Sequence, residues 1–355
     1  MRIALDATPL TVPTGGIRRY TAELARALAE TFPQDEIWLL SDQPFSNPAP
    51  GIANLHCGQG PRNLLERRWW LWGLQGELSR LRIEVFHGTD FAVPYLPMRP
   101  SVMTMHDLSP WLDPAWHPAA DRIRERTPLL LRLGLVTMTI TPSEAVRLQV
   151  IDRFRLRPER VVAVPLAVPA FFRPTATNKD GRRYFLYVGT LEPRKNVQLL
   201  VETWREIHKL QAVDLKLVGR RRGDFPEFAP EPGLEILGPV RDEDLPALYS
   251  GAIACVYPSH YEGFGLPVLE AMQCGAAVIT SRDAAISETA GGAALQLDIN
   301  DSKAWVEALS SAAAEPEWLL ELREKGFERA SQFSWTRTAS LTREVYAEAA
   351  RRFRK

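Results

Sequence analysis

Short apolar runs alternate with amphipathic stretches along the whole chain, which is the pattern of buried parallel strands joined by helices. In the first half the apolar runs fall at 3–5, 36–40, 84–88, 101–105 and 136–140. Between them, helical spacing predicts a helix over 17–30 with Tyr20, Leu24, Ala27 and Leu28 on one face, and another over 63–81. An arginine-rich amphipathic stretch covers 113–135, and Ser143 stands where it would cap a helix running to Phe154. In the second half, strands are predicted at 184–188, 214–219, 234–240, 252–257 and 276–281. Helices follow from Asn196, over 242–250 and from Leu266, and three more cover 304–314, 317–330 and 335–352. Two successive series of alternating strands and helices imply an α/β protein built from two Rossmann-like domains.

Length agrees with this division, because 355 residues exceed what one ordinary core organises. Pro158, Pro165, Pro169 and Pro174, followed by Asn178-Lys179-Asp180-Gly181, mark the change of domain. The expected domains are 1–172 and 173–335, with 336–355 as a separate terminal helix. With 43 basic and 43 acidic residues the formal charge is zero, so no field for nucleic acid is expected. Cys57, Cys255 and Cys274 lack metal-ligand spacing and suit free thiols in a reducing compartment. The chain enters its first strand at once and has no apolar run near the ~20 residues that span a bilayer, so a cytoplasmic protein is expected. Arg122, Arg124, Arg126 and Arg132 lie among leucines, which suits an anionic membrane surface or a polyprenyl-diphosphate acceptor. A solvated helix packing its leucines on the sheet fits the same pattern, and both readings stay open for 121–135.

Candidate chemistry gathers where strands end. After 252–257 come Glu262, Gly263, Phe264, Gly265 and Leu266, with Pro267 at the start of a helix and Glu270 one turn into it. Strand, glycine loop and helix N-terminus form a site for anions or polyols, where a carboxylate accepts two hydrogen bonds from a diol. After 184–188 come Gly189 and then Arg194-Lys195-Asn196, which puts two cations at a helix start, a place for a diphosphate. Gly15 and Gly16 follow the first strand in the same manner, with Arg18 and Arg19 just behind. His106 and Asp107 close the 101–105 strand, at the end where open sheets bind ligands.

The segment Glu262-Gly263-Phe264-Gly265-Leu266-Pro267 with Glu270, together with Arg194-Lys195-Asn196, resembles the retaining glycosyltransferases of family 4, which have the GT-B architecture. The likeness is densest between 184 and 292. It implies two Rossmann-like domains facing across a deep cleft, with the C-terminal helix crossing back to the first. It further implies that Arg194 and Lys195 hold a donor diphosphate, Glu270 the ribose and Glu262 the sugar hydroxyls. His106 would contact the transferred sugar, and the Gly15-Gly16 loop would close over the donor diphosphate or the acceptor. No metal and no cofactor are expected, since the two cations would do the work of a divalent ion. The segments 104–109 and 189–196 look most like bacterial mannosyltransferases of surface-polysaccharide assembly. That implies GDP-mannose or another GDP-sugar ahead of a UDP-sugar, a glycan or polyprenyl-linked acceptor, and peripheral contact with an anionic membrane. A sugar-nucleotide epimerase and a catalytically silent nucleotide-sugar-binding scaffold are the rival readings.

Overall fold

The computed structural model describes residues 1–12, 15–176 and 182–353. The chain divides into two compact units, one of Met1–Leu166 with Ser334–Lys355 and one of Ala167–Phe333. The division thus falls ahead of the expected 172/173, and the 178–181 signal lies outside the described residues.

The first unit is a parallel sheet ordered β3-β2-β1-β4-β5-β6-β7. Its strands are β1 (Arg2–Asp6), β2 (Glu36–Leu40), β3 (Leu55–Cys57), β4 (Val85–Gly88), β5 (Ser101–Thr104), β6 (Met138–Thr141) and β7 (Val161–Ala163). Its helices are α1 (Gly16–Thr31), α2 (Leu74–Arg80), α3 (Ser109–Leu112), α4 (Asp121–Arg132) and α5 (Glu144–Phe154). Strands β4, β5 and β6 are buried at every position, because helices cover both faces of the sheet. Tyr20, Leu24 and Leu28 carry the apolar stripe of α1 into the core.

The second unit is a parallel sheet ordered β10-β9-β8-β11-β12-β13. Here the strands are β8 (Tyr184–Val188), β9 (Asp214–Val218), β10 (Leu234–Gly238), β11 (Cys255–Tyr257), β12 (Val278–Ser281) and β13 (Leu295–Leu297). The helices are α6 (Val197–His208), α7 (Leu245–Gly251), α8 (Leu266–Gln273), α9 (Ala284–Ala290), α10 (Ser302–Ala314) and α11 (Leu319–Ser331). The last helix, α12 (Trp335–Phe353), belongs to the first unit and packs on α1. In each unit the strand order reverses next to its first strand, between β1 and β4 and between β8 and β11. Open α/β sheets bind ligands beyond the strand ends at that reversal.

Two elements differ from expectation. The helix expected over 63–81 is regular only in α2, preceded by a π-turn at Trp69–Gly73. The Asn63 side chain accepts the Leu65 and Glu66 amides, and Glu66 accepts that of Arg62, so local side chains capture the donors a helix would use. The 113–135 stretch is helical only in α4, because Asp113 caps a short 3-10 turn at Pro114–Trp116 instead. The edge strands β3, β7 and β13 were not anticipated, since three residues are too few to show a period.

Candidate active site

In the second unit, the residues that end β8 and β11 meet at the sheet's reversal. The Gly189 amide donates to the Val218 carbonyl at 2.9 Å, tying the loop after β8 to β9. A Cβ on Gly219 would lie 2.0 Å from the Gly189 carbonyl oxygen, so the two strand ends approach as only glycine allows. The chain then makes a 3-10 turn at Pro193–Lys195 and passes through left-handed Asn196 (φ 49°) into α6. The His260 amide donates to the Arg194 carbonyl at 2.9 Å, fastening this turn to the loop after β11.

Arg194 is buried, at 8% exposure. Its guanidinium donates to the Tyr261 carbonyl at 2.8 Å, to Glu262 at 3.3 Å and to Glu192 at 2.8 Å. Lys195 pairs with the other Glu262 oxygen, which also accepts the Ser259 hydroxyl at 2.8 Å. Burial alone would raise the Glu262 carboxyl. The Lys195 ammonium and Arg194 guanidinium outweigh that and hold it below its ordinary range. Burial, and then the Arg194 charge, press the Lys195 ammonium below its usual value. Burial also pushes Asp283 up to about 6, although it accepts the Ile286, Glu262 and Ala285 amides.

Beyond Glu262, left-handed Gly265 (φ 93°) turns the loop into α8, and the Thr289 hydroxyl pins the Phe264 carbonyl at 2.6 Å. Glu270 is 2% exposed, and its carboxylate accepts the Tyr249 hydroxyl at 2.8 Å. Tyr187 lies in the field of Glu262, and Tyr257 in that of Glu270 and Tyr187, so the two carboxylates flank one tyrosine cluster.

The first unit holds a cavity of about 520 Å³ at its own reversal, lined by Asp6, Thr8, Gly15, Gly16, Arg18 and Asp90 among others. Burial raises the Asp6 carboxyl to about 6 against the opposing Thr8 bonds, and burial raises Asp90 also. His106 stands apart from the cavity lining: its Nε2–H donates to the Thr89 carbonyl at 2.7 Å, and its ring meets the edge of Tyr20 at 4.9 Å. Asp107 accepts both the amide and the hydroxyl of Ser109, a turn-making role. The structure therefore brings Arg194, Lys195 and Glu262 into direct contact, and separately gathers Gly15 and Gly16 beside two buried carboxylates. Sequence reading passed over Glu192, Ser259, Asp283 and Tyr249. Glu192, Ser259 and Tyr249 each bond one of the singled-out charged side chains, Asp283 accepts the backbone amide of Glu262, and only Glu192, two residues before Arg194, carried a signal in spacing.

The fold and these strand-end clusters define a glycosyltransferase of GT-B architecture. Residues 14–170 match the family described as Glycosyltransferase Family 4, and residues 182–315 match Glycosyl transferases group 1. The chain belongs to this family. It is 29% identical to the O-antigen chain mannosyltransferase B of Escherichia coli, over 98% of this chain and 99% of that one. It is 25% identical to a D-inositol 3-phosphate glycosyltransferase of Paenarthrobacter aurescens, over 98% and 97%. Among solved structures it is similar to sucrose-phosphate synthase of Thermosynechococcus elongatus, with a TM-score of 0.76 and 20% identity over 98% of both chains. It is also similar to WaaG, a glycosyltransferase involved in lipopolysaccharide biosynthesis, at 0.66 and 15% identity over 97% and 99%. Among the described residues, no helix is long and apolar enough to cross a membrane.

Proposed function

We propose that this glycosyltransferase retains configuration and moves mannose from GDP-mannose, or a related sugar from a GDP-deoxyhexose, without a metal. Its acceptor is a glycan or a polyprenyl-linked sugar in the assembly of a bacterial surface polysaccharide. A UDP-hexose is the second choice of donor. The observation that carries this reading is the buried cluster of Arg194, Lys195 and Glu262 at the second sheet's reversal. The departing nucleotide gains negative charge as the glycosidic bond breaks, and fixed cations stabilise that charge. Glu262 pairs with both cations, and Glu192 pairs with Arg194 as well. A bound diphosphate would compete for them and release the carboxylate toward the sugar hydroxyls. Glu270 holds the ribose once it exchanges the Tyr249 hydroxyl for the diol, and Gly189 and the 263–266 loop let the donor approach the backbone. His106 is assigned to the transferred sugar, and Gly15 and Gly16 to the donor. Attack proceeds from the face the nucleotide leaves, through an ion-pair-like state. Likeness to an O-antigen mannosyltransferase supports the choice of sugar.

Titration with GDP, UDP and their sugars, followed by slow donor hydrolysis, tests this reading. GDP-mannose should bind and hydrolyse slowly. Interconversion of a nucleotide sugar without an acceptor would point to an epimerase, and binding without any turnover to a scaffold.

A further inference from the structure

Glu262 is gripped from two sides, and one of them uses no cation. On the first side its carboxylate pairs with Arg194 and Lys195, the hold that a bound diphosphate would draw away. On the second, the Ser259 hydroxyl donates to Oε1 at 2.8 Å, and the Glu262 amide donates to Oδ2 of Asp283 at 3.3 Å. Ser259 is 1% exposed and is itself fixed, because the Ser281 hydroxyl at the end of β12 donates to its carbonyl at 2.5 Å. One residue earlier on that strand, Thr280 donates to the Tyr257 carbonyl at 2.9 Å. Asp283 divides its oxygens, since Oδ1 accepts the Ala285 and Ile286 amides and caps α9 while Oδ2 is left for Glu262. The far end of α9 reaches the same loop, where Thr289 holds the Phe264 carbonyl. Strand β12 and helix α9 thus fasten the loop at successive points between 257 and 264, and none of these contacts involves a charged donor.

The division decides what becomes of the carboxylate once the cations are engaged elsewhere. Burial alone raises the Glu262 carboxyl, and the two cations are what hold it down. With Arg194 and Lys195 turned to a diphosphate, a buried carboxylate keeps its place only through the neutral donors that remain. Recognition of a sugar hydroxyl needs that place to be fixed, because small displacements from the productive geometry are expensive. We propose that Ser259 and Asp283 are positioning residues for Glu262, which keep its carboxylate aimed at the donor sugar while Arg194 and Lys195 are occupied by the leaving group. Ser259 fixes the end of the side chain, and Asp283 fixes the backbone from which it springs. This inference rests on the transferase reading above and names two residues that act through Glu262 without touching the donor.

The test is a double-mutant cycle on the full chain, read by calorimetry with GDP and GDP-mannose and by donor hydrolysis. Ser259→Ala removes the hydroxyl. Asp283→Asn keeps one oxygen for the cap of α9 but turns an NH2 group toward the Glu262 amide. Each should lower turnover, and the ratio of GDP-mannose to GDP affinity, by about tenfold, the usual loss of a charged hydrogen bond. GDP affinity itself should hold. In a Glu262→Ala background the same two substitutions should cost less than about twofold, because the group they position is gone. A full loss in that background would overturn the inference, since the two residues would then act on the fold. So would an unchanged ratio and turnover in both variants, or a fall in GDP affinity equal to that for GDP-mannose. Hydrogen exchange at the Glu262 amide needs no nucleotide sugar. Under saturating inorganic diphosphate it should stay as slow in the parent as without it, and run about tenfold faster in Asp283→Asn. Loss of that protection in the parent on adding diphosphate would overturn the inference as well. A parent that neither binds nor hydrolyses a nucleotide sugar would strike the transferase reading, while the exchange result still decides this one.

Discussion

Lys195 is the side chain on which the proposed chemistry leans most, and its surroundings say what its removal should do. It is buried beside Arg194 and paired with Glu262, so its ammonium is positioned before any ligand arrives. Lys195→Ala should lower turnover by roughly two or more orders of magnitude, the scale of losing a stabiliser of developing charge. Steady-state rates at saturating donor, with a thermal melt to check the fold, decide this; near-normal turnover would remove Lys195 from the mechanism. Asp283 offers a test by pH. Its carboxyl is raised to about 6 from 3.8, so ionising it costs folded-state stability, a cost absent below 3.8 and complete above about 6. Asp283→Asn keeps a helix-capping oxygen and deletes that titration. Relative to the parent, the variant should therefore gain stability as pH rises from 4 to 7, by at most about 3 kcal/mol. Denaturant melts at the two pH values check it, and a constant difference would refute the buried-charge account.

Elements were easier to read than the contacts that lock them. The central strands announced themselves as apolar runs, and the glycine loop after β11 stood out because Gly263, Gly265 and Pro267 leave few alternatives to a turn before α8. The ends of elements were legible where a cap is local, as with Ser143, whose hydroxyl accepts the Val146 amide. Illegible were partners distant in the chain, such as Tyr249 for Glu270 and Ser259 and Asp283 around Glu262, because nothing local marks a tertiary hydrogen bond. Also hidden was the use of 63–68 as a side-chain-capped turn, where apolar spacing suggested a helix. Gly219 shows how much a strand end depends on backbone contact. With a Cβ 2.0 Å from the Gly189 oxygen and φ at 135°, Gly219→Ala should destabilise the second unit by about 2–4 kcal/mol. Urea melts followed by the near-ultraviolet signal should show it, together with weaker nucleotide binding, and an unchanged midpoint would mean the two loops can separate freely.

Across the whole chain, the first unit depends on a segment that the sequence delivers last. A hydrogen-bonded series runs from Tyr20 on α1 through Thr104 on β5 to His87 on β4, and on to Tyr346 of α12, with contacts of 2.9, 2.7 and 2.7 Å. All four side chains are buried. Burial, helped by the His106 charge, lowers His87 to about 3, so it is neutral at ordinary pH and needs partners for both ring nitrogens. Tyr346→Phe keeps the ring and the packing of α12 on the sheet but leaves one imidazole nitrogen without a partner. The expected cost is about 1–3 kcal/mol, the usual penalty for a buried polar atom left unsatisfied. That cost belongs to the unit formed by Met1–Leu166 and Ser334–Lys355, because the series never enters the other sheet. Hydrogen exchange should therefore quicken at amides of β4, β5 and α12, while β8 and β11 keep the parent's protection and GDP affinity is unchanged. Uniform quickening in both units would show that the chain unfolds as one cooperative body, and that the last helix stabilises more than the sheet it touches.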